Sequence, residues 1–152
     1  RRHAEALQRL NIHLRIIGEP SEADTLLLKQ LKIEYSAQSK LTDVEMQHAY
    51  ATSDFLLFAS TLEGFGMPII EAQMVGLPVI TSNIDPMREV AGAGALLCNP
   101  LETESIQQAA TELIQNEYFR EQLIKAGREN HKRYSPAKVA VELDALYSNI
   151  IN

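Results

Sequence analysis

The sequence predicts an α/β fold, a doubly wound, Rossmann-like parallel sheet flanked by helices. Three observations carry this. The run 55–59 is all apolar and, like 78–81, of strand length, as expected of strands covered on both faces. Stretches with apolar residues three and four apart lie between such runs. Caps and glycine stops divide the two kinds of segment at short intervals, so strand and helix alternate.

The elements follow in order. Ala4, Leu7 and Leu10 share one face of a helix already under way at Arg1, and Asn11 is its stop. His13–Ile17 is a strand closed by Gly18-Glu19-Pro20. Ser21 with Asp24 opens a second helix that continues from Thr25 to Gln30. Leu31–Ser36 is a strand interrupted by Glu34. Thr42-Asp43-Val44-Glu45 is a capping box, and Met46, Ala49 and Tyr50 are the inner face of a helix to about Ser53. Phe55–Ala59 is a buried strand, Ile69–Val75 a helix stopped by Gly76, Pro78–Thr81 another buried strand, and Ala95–Cys98 the last. A helix from Thr103 carries Ile106, Ala110, Leu113 and Ile114 on one face, and a second spans Glu117 to His131. Ser135-Pro136 caps a final helix whose Val139, Leu143, Leu146 and Ile150 recur at helical spacing.

Composition narrows the function. The 152 residues suffice for one domain, residues 1–152, with a real core. The absence of an initiator Met makes the chain read as a piece of something longer. A net charge of −6 disfavours a nucleic-acid surface, because phosphate contacts need a concentrated basic face. A lone cysteine, Cys98, allows no internal disulfide and suits a reducing cytoplasm, where it reads as a buried structural thiol. His3, His13, His48 and His131 have no metal-ligand spacing, and no Asp-x-Asp pair occurs, so no metal or other cofactor is expected. No apolar run is long enough to span a bilayer.

In doubly wound sheets, ligands sit beyond the carboxyl ends of strands. The loop after Phe55–Ala59 stands out there. Gly64 and Gly66 flank Phe65, and Pro68 suits the first helical turn. The amides of Gly66, Met67, Ile69 and Ile70 would then face outward at the positive end of a helix, an anion site for a diphosphate. Glu63 lies at the lip of the loop and Glu71 one turn inside the helix. A carboxylate can accept hydrogen bonds from both hydroxyls of a vicinal diol, so one glutamate suits a sugar ring and the other a ribose. Each residue alone has a plain explanation: Glu71 could complement the helix dipole, Glu63 could be a solvated charge, and the glycines could serve a turn. The combination, after a buried strand and before a helix, is what points to a nucleotide sugar.

The run Glu63-Gly64-Phe65-Gly66-Met67-Pro68-Ile69-Ile70-Glu71 resembles the EX7E motif of glycosyltransferase family 4, also called glycosyl transferases group 1. The likeness continues upstream in Tyr50-Ala51-Thr52-Ser53-Asp54-Phe55 and Ser60. Downstream it runs through Ala72, Gly76-Leu77-Pro78-Val79-Ile80, Glu89-Val90-Ala91-Gly92 and Asn99-Pro100. The resemblance implies the C-terminal, donor-binding half of a two-domain GT-B enzyme that uses no metal and retains anomeric configuration. By the same resemblance, Glu71 would hold the ribose hydroxyls and Glu63 those of the transferred sugar. Gly64, Phe65, Gly66 and Met67 would line that sugar, and Met67, Pro68 and Ile69 would border the diphosphate. The base would lie between the Gly18-Glu19-Pro20 turn and a strand end near Tyr35 and Ser36.

The family pattern also places ahead of Arg1 a strand with a Gly-rich turn, phosphate-gripping Arg and Lys residues, and an acceptor-binding domain. By resemblance, then, this piece binds donor poorly and catalyses nothing alone. The full-length enzyme would work in the cytoplasm, with peripheral membrane association open to it, on a polysaccharide or glycoconjugate acceptor. Other readings stand beside this one: a GT-B-like nucleotide-sugar epimerase, a disaccharide-phosphate synthase, or a non-catalytic module that kept the fold. A phosphorelay receiver lacks its clustered aspartates here, and a glycosidase would leave the glycine loop unexplained.

Overall fold

The computed structural model of the protein describes residues 5, 7 and 10–151, with side chains as far as Ser148. Its elements, in order, are β1 (His13–Ile17), α1 (Glu22–Gln30), β2 (Glu34–Gln38), α2 (Asp43–Ala51), β3 (Leu56–Phe58) and α3 (Met67–Val75). There follow β4 (Val79–Ser82), α4 (Met87–Ala91) with a 3-10 turn at Gly92–Gly94, and β5 (Leu96–Cys98). Then come α5 (Thr103–Gln115), α6 (Glu117–Asn130), a 3-10 turn at His131–Tyr134, and α7 (Pro136–Ile151). Ala4, assigned above to a first helix, lies outside the described residues. Leu7 of that segment is buried at 1% exposure in the core.

Among the described residues all strand pairs are parallel, in two hydrogen-bonded pieces: β1 with β2, and β3-β4-β5 with β4 central. Between β1 and β3 lies a cavity of about 750 Å³, lined by Leu14 and Ile17 from one side and Phe55 and Leu57 from the other. This accounts for two departures from expectation. β3 is only half-buried, whereas every residue of β4 is buried. Ile114, expected inward, is 43% exposed and borders the same cavity.

Local chemistry set most boundaries. Ser21 and Asp24 cap each other reciprocally, as do Thr42 and Glu45; such caps are each worth about 1 kcal/mol. Gly76, at φ 79°, ends α3 while Leu77 N–H returns to Ala72 O. α1 ends in the same way without a glycine. Lys32 takes φ 54°, its amide donates to Lys29 O, that of Ile33 donates to Leu28 O, and Leu28 packs on Ile33. Leu31–Ile33 are therefore spent on the helix end, and β2 is Glu34–Gln38 rather than Leu31–Ser36.

Two larger core clusters hold the β3-β4-β5 piece. Ile80, Cys98, Ile106, Ala110 and Leu113 lie on one side, and Ile69, Val79, Met87 and Val90 on the other. A third cluster, Leu28 and Ile33, serves β1-β2. Fully burying an aliphatic side chain contributes about 1.5–3 kcal/mol. Between the 3-10 turn and α6, Gly94 and Gly127 meet so closely that a Cβ on Gly94 would fall 2.7 Å from Gly127 N. In α7, Val139, Leu143 and Leu146 are 39%, 46% and 54% exposed. Ile150, the fourth residue of that stripe, has its side chain outside the described part.

Cys98 is buried as expected, and burial pushes its thiol up to about 11 from an ordinary value of 9.0. It is expected to stay unlabelled by a thiol reagent at pH 8 until the protein unfolds, because only the accessible thiolate reacts. Rapid labelling of the native protein would contradict this burial. The sign of the linkage follows: the unfolded thiol loses its proton first, so this group's contribution is full below about pH 9. It is lost as pH rises through about 11.

Candidate functional site

The site is built on the chain leaving β3. Thr81 Oγ1 donates to Phe58 O at 2.9 Å, and Ser82 Oγ makes a short bond to Ser60 O. Central β4 thus fixes where the loop begins. Gly66 then takes φ 101° and ψ 43° as the N-cap of α3, a conformation that strains any residue with a side chain. A Cβ there would also stand 3.1 Å from Ile69 Cδ1. Pro68 sits in the first turn of α3, where its missing N–H costs nothing.

The amides of Gly66, Met67, Ile69 and Ile70 were expected to be free as a group, and they divide: Ile70 is buried inside α3. Among the described residues, no acceptor takes those of Gly64, Phe65, Gly66 or Met67. That of Ile69 donates to Gly66 O at 3.0 Å, because α3 opens with a tightened turn. The Ile69 side chain is wholly buried, so its contribution is to the core. Pro68 is half-buried, Met67 is exposed, and Gly64 and Phe65 lie open to solvent.

Glu63 is half-buried at the lip of the loop, and Glu71 half-buried one turn inside α3. The phenol of Tyr50 in α2 donates to Glu71 Oε2 at 2.8 Å. Burial first, then this bond, then the negative charge of Glu71 raise the Tyr50 hydroxyl well above its ordinary value, so it remains a donor. The loop is also braced from the far end of the chain: the Phe65 ring meets Tyr134 edge-on, centroids 5.5 Å apart, and Arg133 stacks over Tyr134.

The expected base pocket needs a correction. Tyr35 and Ser36 do not mark a strand end, because β2 runs on to Gln38. Tyr35 packs on the Leu28–Ile33 cluster, and Ser36 Oγ lies 2.9 Å from His13 Nε2. The carboxyl end of β2 instead meets the Gly18 turn two residues later. Gly18 N–H donates to Gln38 O at 2.8 Å, and Ser39 Oγ donates to Glu19 Oε1 at 3.0 Å. Gly18, with φ 135°, directly follows the end of β1, so the turn falls where it was expected. The partnership of Tyr50 with Glu71 was missed, although Tyr50 belongs to the stretch that resembles the family; helical periodicity marks it only as an inner-face residue.

Comparison with known proteins agrees with this architecture. The family model described as glycosyl transferases group 1 matches residues 2–130. O-antigen chain mannosyltransferase B of Escherichia coli is 31% identical over 93 residues, which are 61% of this chain and 24% of that protein. N-acetyl-alpha-D-glucosaminyl L-malate synthase of Bacillus anthracis is 24% identical over 153 residues, 97% of this chain and 40% of that protein. The chain therefore spans less than half the length of either relative. Among solved structures, a glycosyltransferase from Rickettsia africae superposes with a TM-score of 0.86 at 21% identity, over 99% of this chain and 44% of that one. HepE of Anabaena, solved with UDP and glucose, superposes with a TM-score of 0.85 at 17% identity, over 97% of this chain and 44% of that one. A match across most of the chain, on the fold just described, means that the chain belongs to the glycosyl transferases group 1 family.

Proposed function

We propose that this chain is the donor-binding, C-terminal GT-B domain of a retaining glycosyltransferase, a piece of a longer two-domain enzyme. It takes a nucleoside diphosphate sugar and serves transfer of a hexosyl group to a polysaccharide or glycoconjugate acceptor in the cytoplasm. One observation carries the reading: the EX7E pair Glu63 and Glu71 brackets a helix N-terminus opened by Gly66, directly beyond the carboxyl end of β3. Mannosyltransferases among the relatives, and the UDP and UDP-glucose bound in complexes of the similar Anabaena protein, support the substrate class.

In this reading Glu71 accepts hydrogen bonds from the ribose hydroxyls and Glu63 from those of the sugar. The amides of Gly66 and Met67 face the diphosphate. As the bond from the anomeric carbon to the diphosphate oxygen breaks, its electron pair goes to that oxygen. The helix N-terminus stabilises the added charge. The acceptor hydroxyl oxygen bonds to the anomeric carbon on the face that the diphosphate leaves, and its proton passes to the departing diphosphate oxygen. The acceptor belongs to the other domain of the proposed enzyme. The cavity of about 750 Å³ between β1 and β3 is where, in this reading, the strand that the resemblance puts ahead of Arg1 would lie. In the doubly wound order, that central position is the switch point beside which nucleotides bind.

Amide NMR spectra recorded during titration with UDP, GDP and ADP, and with their glucose and mannose conjugates, test this. Shifts are expected at Gly64–Met67, at Glu71 and around Gly18–Glu19, and the nucleotide producing them identifies the base. If no nucleotide moves these amides, even in a chain extended at its N-terminus, the reading is wrong and a non-catalytic module takes its place.

A further inference from the structure

We infer that Tyr50 is a positioning residue for ribose recognition: its phenol holds one carboxylate oxygen of Glu71 so that the other is presented to the vicinal diol. The inference rests on the donor-domain reading above and adds a residue and a division of labour to it.

The geometry is specific. The ring of Tyr50 belongs to the core cluster of Ile69, Val79 and Met87, and the residue is 9% exposed. Packing alone would be served by phenylalanine, which brings no hydroxyl to satisfy. The hydroxyl instead reaches out of the core to Glu71 Oε2 at 2.8 Å. Among the described residues no donor reaches Glu71 Oε1, which leaves that oxygen for a ligand. A free glutamate samples several rotamers, and one tethered at Oε2 has already lost that freedom before the ligand arrives.

The tether itself is anchored. Its helix, α2, is capped at its start by Thr42 and Glu45. At its end Arg15 of β1 donates to Ala49 O at 3.0 Å and to Thr52 Oγ1 at 2.7 Å. A cation there also complements the negative end of the helix. A chain of contacts thus runs from β1, which leads into the Gly18 turn, through α2 and Tyr50 to Glu71. It ties the two pieces of the sheet together at the carboxylate assigned to ribose.

The test compares binding of a nucleoside diphosphate (UDP, GDP or ADP) with that of its 2′,3′-dideoxy counterpart. The ratio of dissociation constants measures how far the diol is used. In Tyr50→Phe that ratio is expected to fall by roughly 2- to 12-fold, the cost of ordering one side chain on binding. Affinity for the dideoxy compound and the melting temperature should stay close to those of the unsubstituted chain. In a Glu71→Ala background the same change should have no further effect on the ratio. If Glu71→Ala lowers the ratio and Tyr50→Phe does not, the inference is overturned while the donor-domain reading stands. If Tyr50→Phe weakens both ligands equally, the residue is structural and the inference again fails. If Glu71→Ala leaves the ratio intact, or if none of the three nucleotides binds even in a chain extended at its N-terminus, the reading falls and the inference with it.

Discussion

Replacing Glu71 by alanine is expected to weaken binding of the nucleoside diphosphate sugar by roughly 10- to 150-fold. A ribose contact of this kind is a hydrogen bond to a charged group, worth about 1.5–3 kcal/mol. Affinity for free sugar or inorganic diphosphate should change far less, since neither carries the ribose. Glu71→Gln keeps one acceptor oxygen and the shape of the side chain but removes the charge, so it should fall between the two. Its new amide group also competes for the place of the Tyr50 hydroxyl. Calorimetric titration of the three proteins with one nucleotide sugar checks the ranking. Equal affinity for all three would remove Glu71 from the site. The alanine variant should remain folded, because Glu71 is only half-buried and the bond it gives up to Tyr50 is part-buried at the edge of the core.

Asn130→Ala is expected to destabilise the fold by about 3 kcal/mol, lowering the melting temperature by roughly 6–12 °C for a domain of this size. Asn130, at the end of α6, is 8% exposed, and its amide donates to both Gln73 Oε1 and Val90 O at 2.8 Å. Gln73, 1% exposed on α3, passes the connection on to Ala91 O at 2.9 Å. Truncation would leave two buried acceptors without a donor, and each such orphan costs about 1–3 kcal/mol. Arg133 would also lose the Asn130 Oδ1 that it now holds at 3.0 Å. The network clamps α3, α4 and α6 together two residues beyond Glu71, so a weakened nucleotide response should accompany the loss of stability. Thermal unfolding measures the first effect. A change in melting temperature below about 2 °C would show that water or a rearranged partner satisfies these groups.

Much of this molecule was legible in its sequence wherever the signal was local. Thr42 and Glu45 announce a capping box because both partners lie within one turn, and the helix begins where they say. His13–Ile17 is a strand with the expected ends, since Asn11 and Gly18 punctuate it. Gly76 ends α3 as expected, but the helix starts at Met67 rather than Ile69, because Gly66 caps it in a left-handed conformation that other residues adopt only under strain. The same device built from a less telling residue leaves no such mark. Lys32 closes α1 in the left-handed conformation without a glycine to advertise it, and the register of β2, Tyr35 and Ser36 moved with it. The short helix α4 went unseen because five residues are too few to show a helical period.

Function divides along the same line. By itself the sequence determined the α/β class, the loop after β3 and the two glutamates either side of a helix N-terminus, because these depend on residue type and spacing over a few positions. Tertiary structure alone decided that Tyr50 grips Glu71, 21 residues away, and that Phe65 rests on Tyr134. It also decided that Asn130 reaches across 57 residues to Gln73, and that the sheet stands in two pieces about a cavity. Such contacts join groups remote along the chain, and their partners are chosen by packing geometry, which no local periodicity encodes.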